Sequence, residues 1–133
     1  MRAGVENVRL IRVEATYLVS KLIPDNSVSA YHILFPDPWP KRRHRSRRLI
    51  GGSFLVEVYR TLTVDGLVNC ATDHEEYFEW IQHEFQQSGQ FTEQEPTLLP
   101  QEAWTDFERE FIAAGKKVHR CRWQSVSSGY RHG

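Results

Sequence analysis

Residues 28 to 48 read Val-Ser-Ala-Tyr-His-Ile-Leu-Phe-Pro-Asp-Pro-Trp-Pro-Lys-Arg-Arg-His-Arg-Ser-Arg-Arg. From Val28 to Phe35 the run is mostly apolar towards its end, the pattern of a strand buried on both faces of a sheet. It leads into Asp37, held between two prolines. Pro36 has its own φ fixed, and Pro38 pushes Asp37 into the extended region, so a helix is disfavoured there. The acid therefore sits on a stiff loop at the C-terminal edge of a strand. Lys41 to Arg48 then place six cations in eight positions. A fixed carboxylate beside a patch suited to polyanions points to chemistry on a nucleic acid.

Outward from this stretch, strand and helix patterns alternate. Val8 to Val13 alternates apolar and polar residues and predicts a short strand ending at Glu14. Ala15 to Ile23 reads as a short helix before the Pro24-Asp25-Asn26 turn. Arg45 to Leu62 reads as a helix with Ile50, Phe54 and Val58 on one stripe. Gly51 and Gly52 weaken it, each by about 1 kcal/mol relative to Ala. Asp65-Gly66 predicts a turn, Leu67 to Thr72 a strand ending at Asp73, and Glu75 to Gln87 a helix with Tyr77, Phe78, Ile81 and Phe85 inward. Gln90 to Glu95 predicts a strand, Thr105 to Ala114 a helix closed by Gly115, and Lys117 to Trp123 a last strand. This is an α/β pattern. Ligands of such sheets gather outside the carboxyl ends of the strands, and Glu14, Asp37 and Asp73 each lie at such an end.

At 133 residues the chain holds one domain with a modest core. Seven Phe, five Tyr and four Trp argue for a folded protein. The formal charge is zero, yet outside the basic block 11 Lys and Arg face 17 Asp and Glu. A near-neutral balance is therefore silent on partners, and the local block speaks instead. No apolar run approaches the roughly 20 residues that span a bilayer, and the N-terminus has no signal-peptide core. Cys70 and Cys121 lie far apart with no CxxC spacing, the pattern of reduced cytoplasmic thiols. Six scattered histidines give no metal-ligand spacing, so no metal is expected.

Each motif has a plainer alternative. The basic block lies at or before a helix N-terminus, where the dipole disfavours each cation by roughly 0.3 to 1 kcal/mol. A polyanionic partner compensates for that; a solvated loop or a localisation run is the alternative. Trp39 either stacks on a base or anchors the loop to the core, the latter being favoured. Pro-Asp-Pro is good loop chemistry whatever the function. Asp73 could simply cap the helix that follows, and Thr105-Asp106-Phe107-Glu108 forms a complete capping box.

The run Phe35-Pro-Asp-Pro-Trp-Pro-Lys41, followed by Arg47-Arg48, resembles the signature of the tRNA (guanine-N7-)-methyltransferase family. Ile23-Pro-Asp-Asn-Ser27, Ala71-Thr-Asp73 and Thr105-Asp-Phe-Glu108 resemble that family's later motifs, in order, so the resemblance covers residues 4 to 124. It implies a partial Rossmann-like class I methyltransferase sheet, strands 3 to 7 of the usual seven, with flanking helices. Residues 1–124 would be the C-terminal portion of a methyltransferase domain, and residues 125–133 a polar, loose tail. The implied cofactor is S-adenosyl-L-methionine and the implied partner is tRNA, in the cytoplasm and away from membranes. By the same resemblance Asp37 matches the catalytic acid, which also lies at the cofactor. Glu14 stands where the family usually has Asp near the adenosyl group. Lys41, Asp73, Thr105, Asp106, Phe107 and Glu108 match substrate contacts, and Arg43, His44, Arg45, Ser46, Arg47 and Arg48 match the RNA-contacting segment.

The resemblance also implies an absence. The family's cofactor site begins with a Gly-rich strand–turn–helix that would lie before residue 1. In the family's sheet order, 3-2-1-4-5-7-6, Val8 to Val13 would be strand 3 without its neighbour, and strand 4 would expose a long apolar edge. The expectation is a truncated gene model or fragment, or a chain completed by a homo-oligomer or an N-terminal segment. Methylation of guanine N7 in tRNA is the leading function. The alternative is a non-catalytic RNA-binding module that has lost the cofactor site; a metal-dependent nuclease lacks any ligand spacing.

Overall fold

A computed structural model of the chain describes residues 7–96, 109 and 113–126. Helix α1 (Ala15–Tyr17) widens into a π-helical turn, Leu18–Leu22. Strand β1 (Val28–Leu34) follows, then a 3₁₀ helix (Arg42–Arg47), α2 (Gly52–Thr61), β2 (Leu62–Thr72), α3 (Glu75–Ser88), β3 (Phe91–Gln94) and β4 (His119–Ser125). The strands form one mixed sheet in the order β1-β2-β4-β3. β1 and β2 are parallel, while β4 pairs antiparallel with both β2 and β3. This α/β sheet has the order expected of the four strands from Val28 onward.

Three local expectations are corrected. The strand at Val8–Val13 does not form: Leu10 and Ile11 are 85% and 64% exposed, and no strand runs beside them among the described residues. Alternation gives a strand one apolar face, but without a neighbour there is no ladder for its backbone groups to join.

The single helix expected from Arg45 to Leu62 is instead two helices with a break between them. Arg48 and Gly51 are extended, with ψ of 134° and 176°. Both Arg48 and Ile50 enter the interior. A continuous helix would point residues two apart to opposite sides.

Asp65-Gly66 is a bulge inside β2, not a turn before it: the register jumps from Val28↔Leu62 to Ala30↔Leu67. Asp65 takes φ +61°, and a Cβ on Gly66 would lie 2.8 Å from Leu62 Cδ2 and 2.9 Å from the Thr63 carbonyl, so glycine is required. The helix expected at 105–114 lies largely outside the described residues, as does the tail beyond Val126.

The core lies between the sheet and two helices. α2 contributes Phe54, Leu55 and Val58, and α3 contributes Tyr77, Ile81 and Phe85, against Val68, Cys70, Cys121 and Trp123 of the sheet. Phe85 stacks on Trp123 (5.0 Å, 4°) and meets Phe91 edge-on (5.0 Å, 84°). Cys70 and Cys121 face each other across β2 and β4 as buried free thiols. No helix among the described residues is long and apolar enough to cross a membrane.

One consequence of the topology positions the site. β1 and β2 are parallel and in register at Leu34↔Ala71, and the Phe35 amide donates to the Ala71 carbonyl at 2.8 Å. Both strands therefore end at the same sheet edge. Asp37 leaves from one and Asp73 from the other.

Candidate functional site

The loop carrying Asp37 is constrained from within. Phe35 and Trp39, on either side of Pro-Asp-Pro, adopt φ of +53° and +39°. Bulky side chains rarely take this left-handed conformation, which costs of order 1–3 kcal/mol each and persists only where the surroundings enforce it. Asp37 is exposed, and its Oδ1 accepts the Trp39 amide at 3.1 Å, closing a local turn. A carboxylate offers about four lone-pair positions, so this turn leaves it capacity for a ligand.

Helix α3 supplies the outer enforcement through Arg48, whose side chain has no solvent exposure. Its Nε donates to the Pro38 carbonyl at 2.7 Å. Its two Nη groups form a bidentate pair with Glu76, Nη1 to Oε2 at 3.0 Å and Nη2 to Oε1. The guanidinium carbon lies 4.9 Å from the ring centroids of both Tyr77 and Trp80. Trp80 Nε1 donates to the Ile50 carbonyl at 2.8 Å, and the Ile50 amide reaches the Tyr77 hydroxyl at 3.4 Å. Hydrogen bonding from Arg48 holds the Glu76 carboxyl below the usual range, while burial pushes the Tyr77 phenol up to about 12.

Arg48, expected among the RNA contacts, thus turns inward. The rest of the segment faces out: Lys41, Arg42, Arg43, Ser46 and Arg47 are exposed, and His44 and Arg45 are half-buried. Trp39 packs within the turn, with the Arg47 guanidinium 5.2 Å over its ring and His44 edge-on at 5.8 Å. Arg45 Nη2 approaches Glu76 Oε1 at 3.7 Å, and its buried Nε has no hydrogen-bond partner in the protein.

Glu14 caps α1, accepting the Thr16 and Tyr17 amides at 3.0 Å each, and these bonds lower its pKa. A cleft of about 380 Å³ lined by Glu14, Thr16, Arg45, Arg47, Ser53, Trp80 and their neighbours brings Glu14 to the basic turn; Asp37 and Asp73 do not line it. Asp73 is half-buried, and it is not the cap of α3. His74 fills that place, its Nδ1 accepting the Tyr77 amide at 3.1 Å. Thr105, Asp106, Phe107 and Glu108 lie outside the described residues. Sequence reasoning missed the receptacle made by Glu76, Tyr77 and Trp80. The available signal is the spacing of Glu76 and Trp80 four apart on one helix face, a carboxylate beside a ring.

The profile of a family described as "Putative methyltransferase" matches residues 1–121. The tRNA (guanine-N(7)-)-methyltransferase of Thermotoga maritima is 36% identical over 129 residues, covering 96% of this chain and 41% of the relative. That of Psychromonas ingrahamii is 37% identical over 129 residues, covering 94% of this chain and 53% of the relative. The chain belongs to the tRNA (guanine-N7-)-methyltransferase family. It spans about half the length of these curated relatives.

Membership of this methyltransferase family implies S-adenosylmethionine as methyl donor. The described residues do not by themselves build a site for it. At Gly51 a Cβ would meet nothing closer than 3.6 Å, and at Gly52 nothing within 4 Å, so this pair is not a cradle shaped by close backbone approach. Glu14 is exposed and already caps a helix, and Asp37, though it keeps lone pairs beyond its own turn, is a single exposed carboxylate. What the described part of this family member does present is a pair of acids at one sheet edge and an outward row of cations.

Proposed function

We propose that this chain serves the methylation of guanine N7 in tRNA from S-adenosylmethionine, and that its described residues form the side that holds the RNA and the target base. The observation that carries this reading is the parallel β1–β2 pair. It releases Asp37 and Asp73 at one edge, with the basic turn continuing directly from Asp37.

The chemistry asks for no general base, because guanine N7 carries an in-plane lone pair and no proton. Positioning is the main demand, and good alignment lowers a barrier by up to about 7 to 11 kcal/mol. Carboxylates accept hydrogen bonds from guanine N1–H and the exocyclic amine, and they favour the cationic product. Asp37 on its constrained loop takes the catalytic place, and Asp73, Lys41 and the Thr105–Glu108 motif take the remaining substrate contacts. The base leaves its stack to reach them. Lys41, Arg43, Arg45 and Arg47, with His44 and Ser46, hold the flanking phosphates.

The test is Asp37→Ala in a protein of the relatives' full length carrying this segment. Methyl transfer to unmodified tRNA is abolished while tRNA affinity is largely kept. Normal turnover in that variant refutes the assignment. A second reading, an RNA-binding module without methyl transfer, draws on the outward cations Lys41, Arg42, Arg43 and Arg47 alone. Calorimetric titration of this chain with S-adenosylmethionine separates the two: heat of binding supports a usable donor site, and its absence leaves RNA affinity alone.

A further inference from the structure

We infer that Arg48 and Glu76 form a positioning latch that ties the Asp37 loop to the Asp73–α3 junction and so fixes the two candidate site acids relative to one another. This rests on the methyltransferase reading for its consequence, but not for its geometry.

The latch spans the site. At one end Arg48 Nε holds the carbonyl of Pro38, the residue next to Asp37; at the other its fork holds Glu76, three residues beyond Asp73 in the first turn of α3. A direct RNA contact is excluded for a side chain with no exposure. Stability alone is a poor explanation too, since the Glu76 side chain is 41% exposed and ion pairs open to solvent contribute little. Three directed bonds in one plane, between two aromatic faces, specify a position. Lysine, a point charge on a flexible stem, cannot reproduce that fork. The backbone of the loop needs such restraint, because Phe35 and Trp39 both hold left-handed φ values.

The test is site-resolved amide hydrogen exchange on this chain, without ligand, in Glu76→Gln and Arg48→Lys. The reporters are the amides of Trp39, His44 and Arg48, bonded to Asp37 Oδ1, Lys41 O and Arg45 O. In both variants these exchange on the order of tenfold faster, while the amides of β2 and of α3 beyond its first turn keep their protection. Equal exchange at the three reporters in a folded variant overturns the latch. Should Glu76→Gln unfold, Glu76→Asp keeps the charge and shortens the reach; a folded Glu76→Asp with wild-type exchange overturns it equally. In a protein of full relative length that methylates tRNA, the same variants lower kcat with KM for tRNA little changed. A fall in tRNA affinity with kcat preserved overturns the positioning role. Absence of methylation in the unmodified protein refutes the reaction while leaving the exchange result to decide the latch.

Discussion

Removing single charges from the basic turn separates the cations that reach RNA from the one that does not. Six Lys and Arg residues occupy positions 41 to 48, but the Arg48 side chain is fully enclosed, so at most five can neutralise phosphates. Each phosphate contact contributes about 0.7 to 0.9 to the slope of log K against log salt, which sets a ceiling of about −3.5 to −4.5 for this segment. Between 50 and 200 mM salt, a fourfold change, that ceiling corresponds to a loss of affinity of roughly 100- to 500-fold. Arg47→Gln or Arg43→Gln should make the slope shallower by about one. Arg48→Gln should weaken binding, if at all, by loosening the loop, with the slope unchanged. The assay is fluorescence anisotropy of labelled tRNA titrated with this chain across a salt series. If Arg48→Gln flattens the slope as much as Arg47→Gln, the inward Arg48 is refuted. A flat response in the unsubstituted chain removes the phosphate contacts altogether.

Acid should weaken the fold in part through Glu76. Its folded pKa lies below the unfolded one, so the stabilisation is present above the ordinary carboxylate range and is lost as pH falls through the depressed folded value. Urea midpoints measured from pH 6 down to pH 3 should fall more steeply for the native sequence than for Glu76→Gln, and equal pH dependence refutes the contribution. Phe85 is fully buried between Trp123 and Phe91, so Phe85→Ala should cost about 3 to 5 kcal/mol by urea denaturation. A cost under about 1 kcal/mol would exclude this packing.

How far sequence determines structure here depends on how local the cause is. The strand Val28–Leu34 and the inward stripe Tyr77–Ile81–Phe85 are legible because their periodicity lies within one element, but the strand is not buried on both faces as expected: its residues are half-buried or exposed, Leu34 at 41%. The placement of Asp37 and Asp73 at strand ends is legible too. Val8–Val13 carries the same kind of pattern and forms no strand, because pairing needs a neighbour that alternation cannot specify. The break at Arg48–Gly51 is concealed for a related reason: Ile50 falls four residues before Phe54 and eight before Val58, so the stripe looks continuous where the backbone is not. Arg48 is the least legible residue of the site. In a row of cations nothing distinguishes it, and only the position of α3 decides that it is enclosed. α3 thereby joins two tasks along its length. Its later turns bury Ile81 and Phe85 in the core, and its first turn and Trp80 hold the loop bearing Asp37. Glu76 and Phe85 are nine residues apart, about 13.5 Å along a helix, beyond the range at which substitutions usually couple. Tyr77, a core residue whose ring faces the Arg48 guanidinium, is a shared partner, so the restraint on the site couples to the core through it rather than directly.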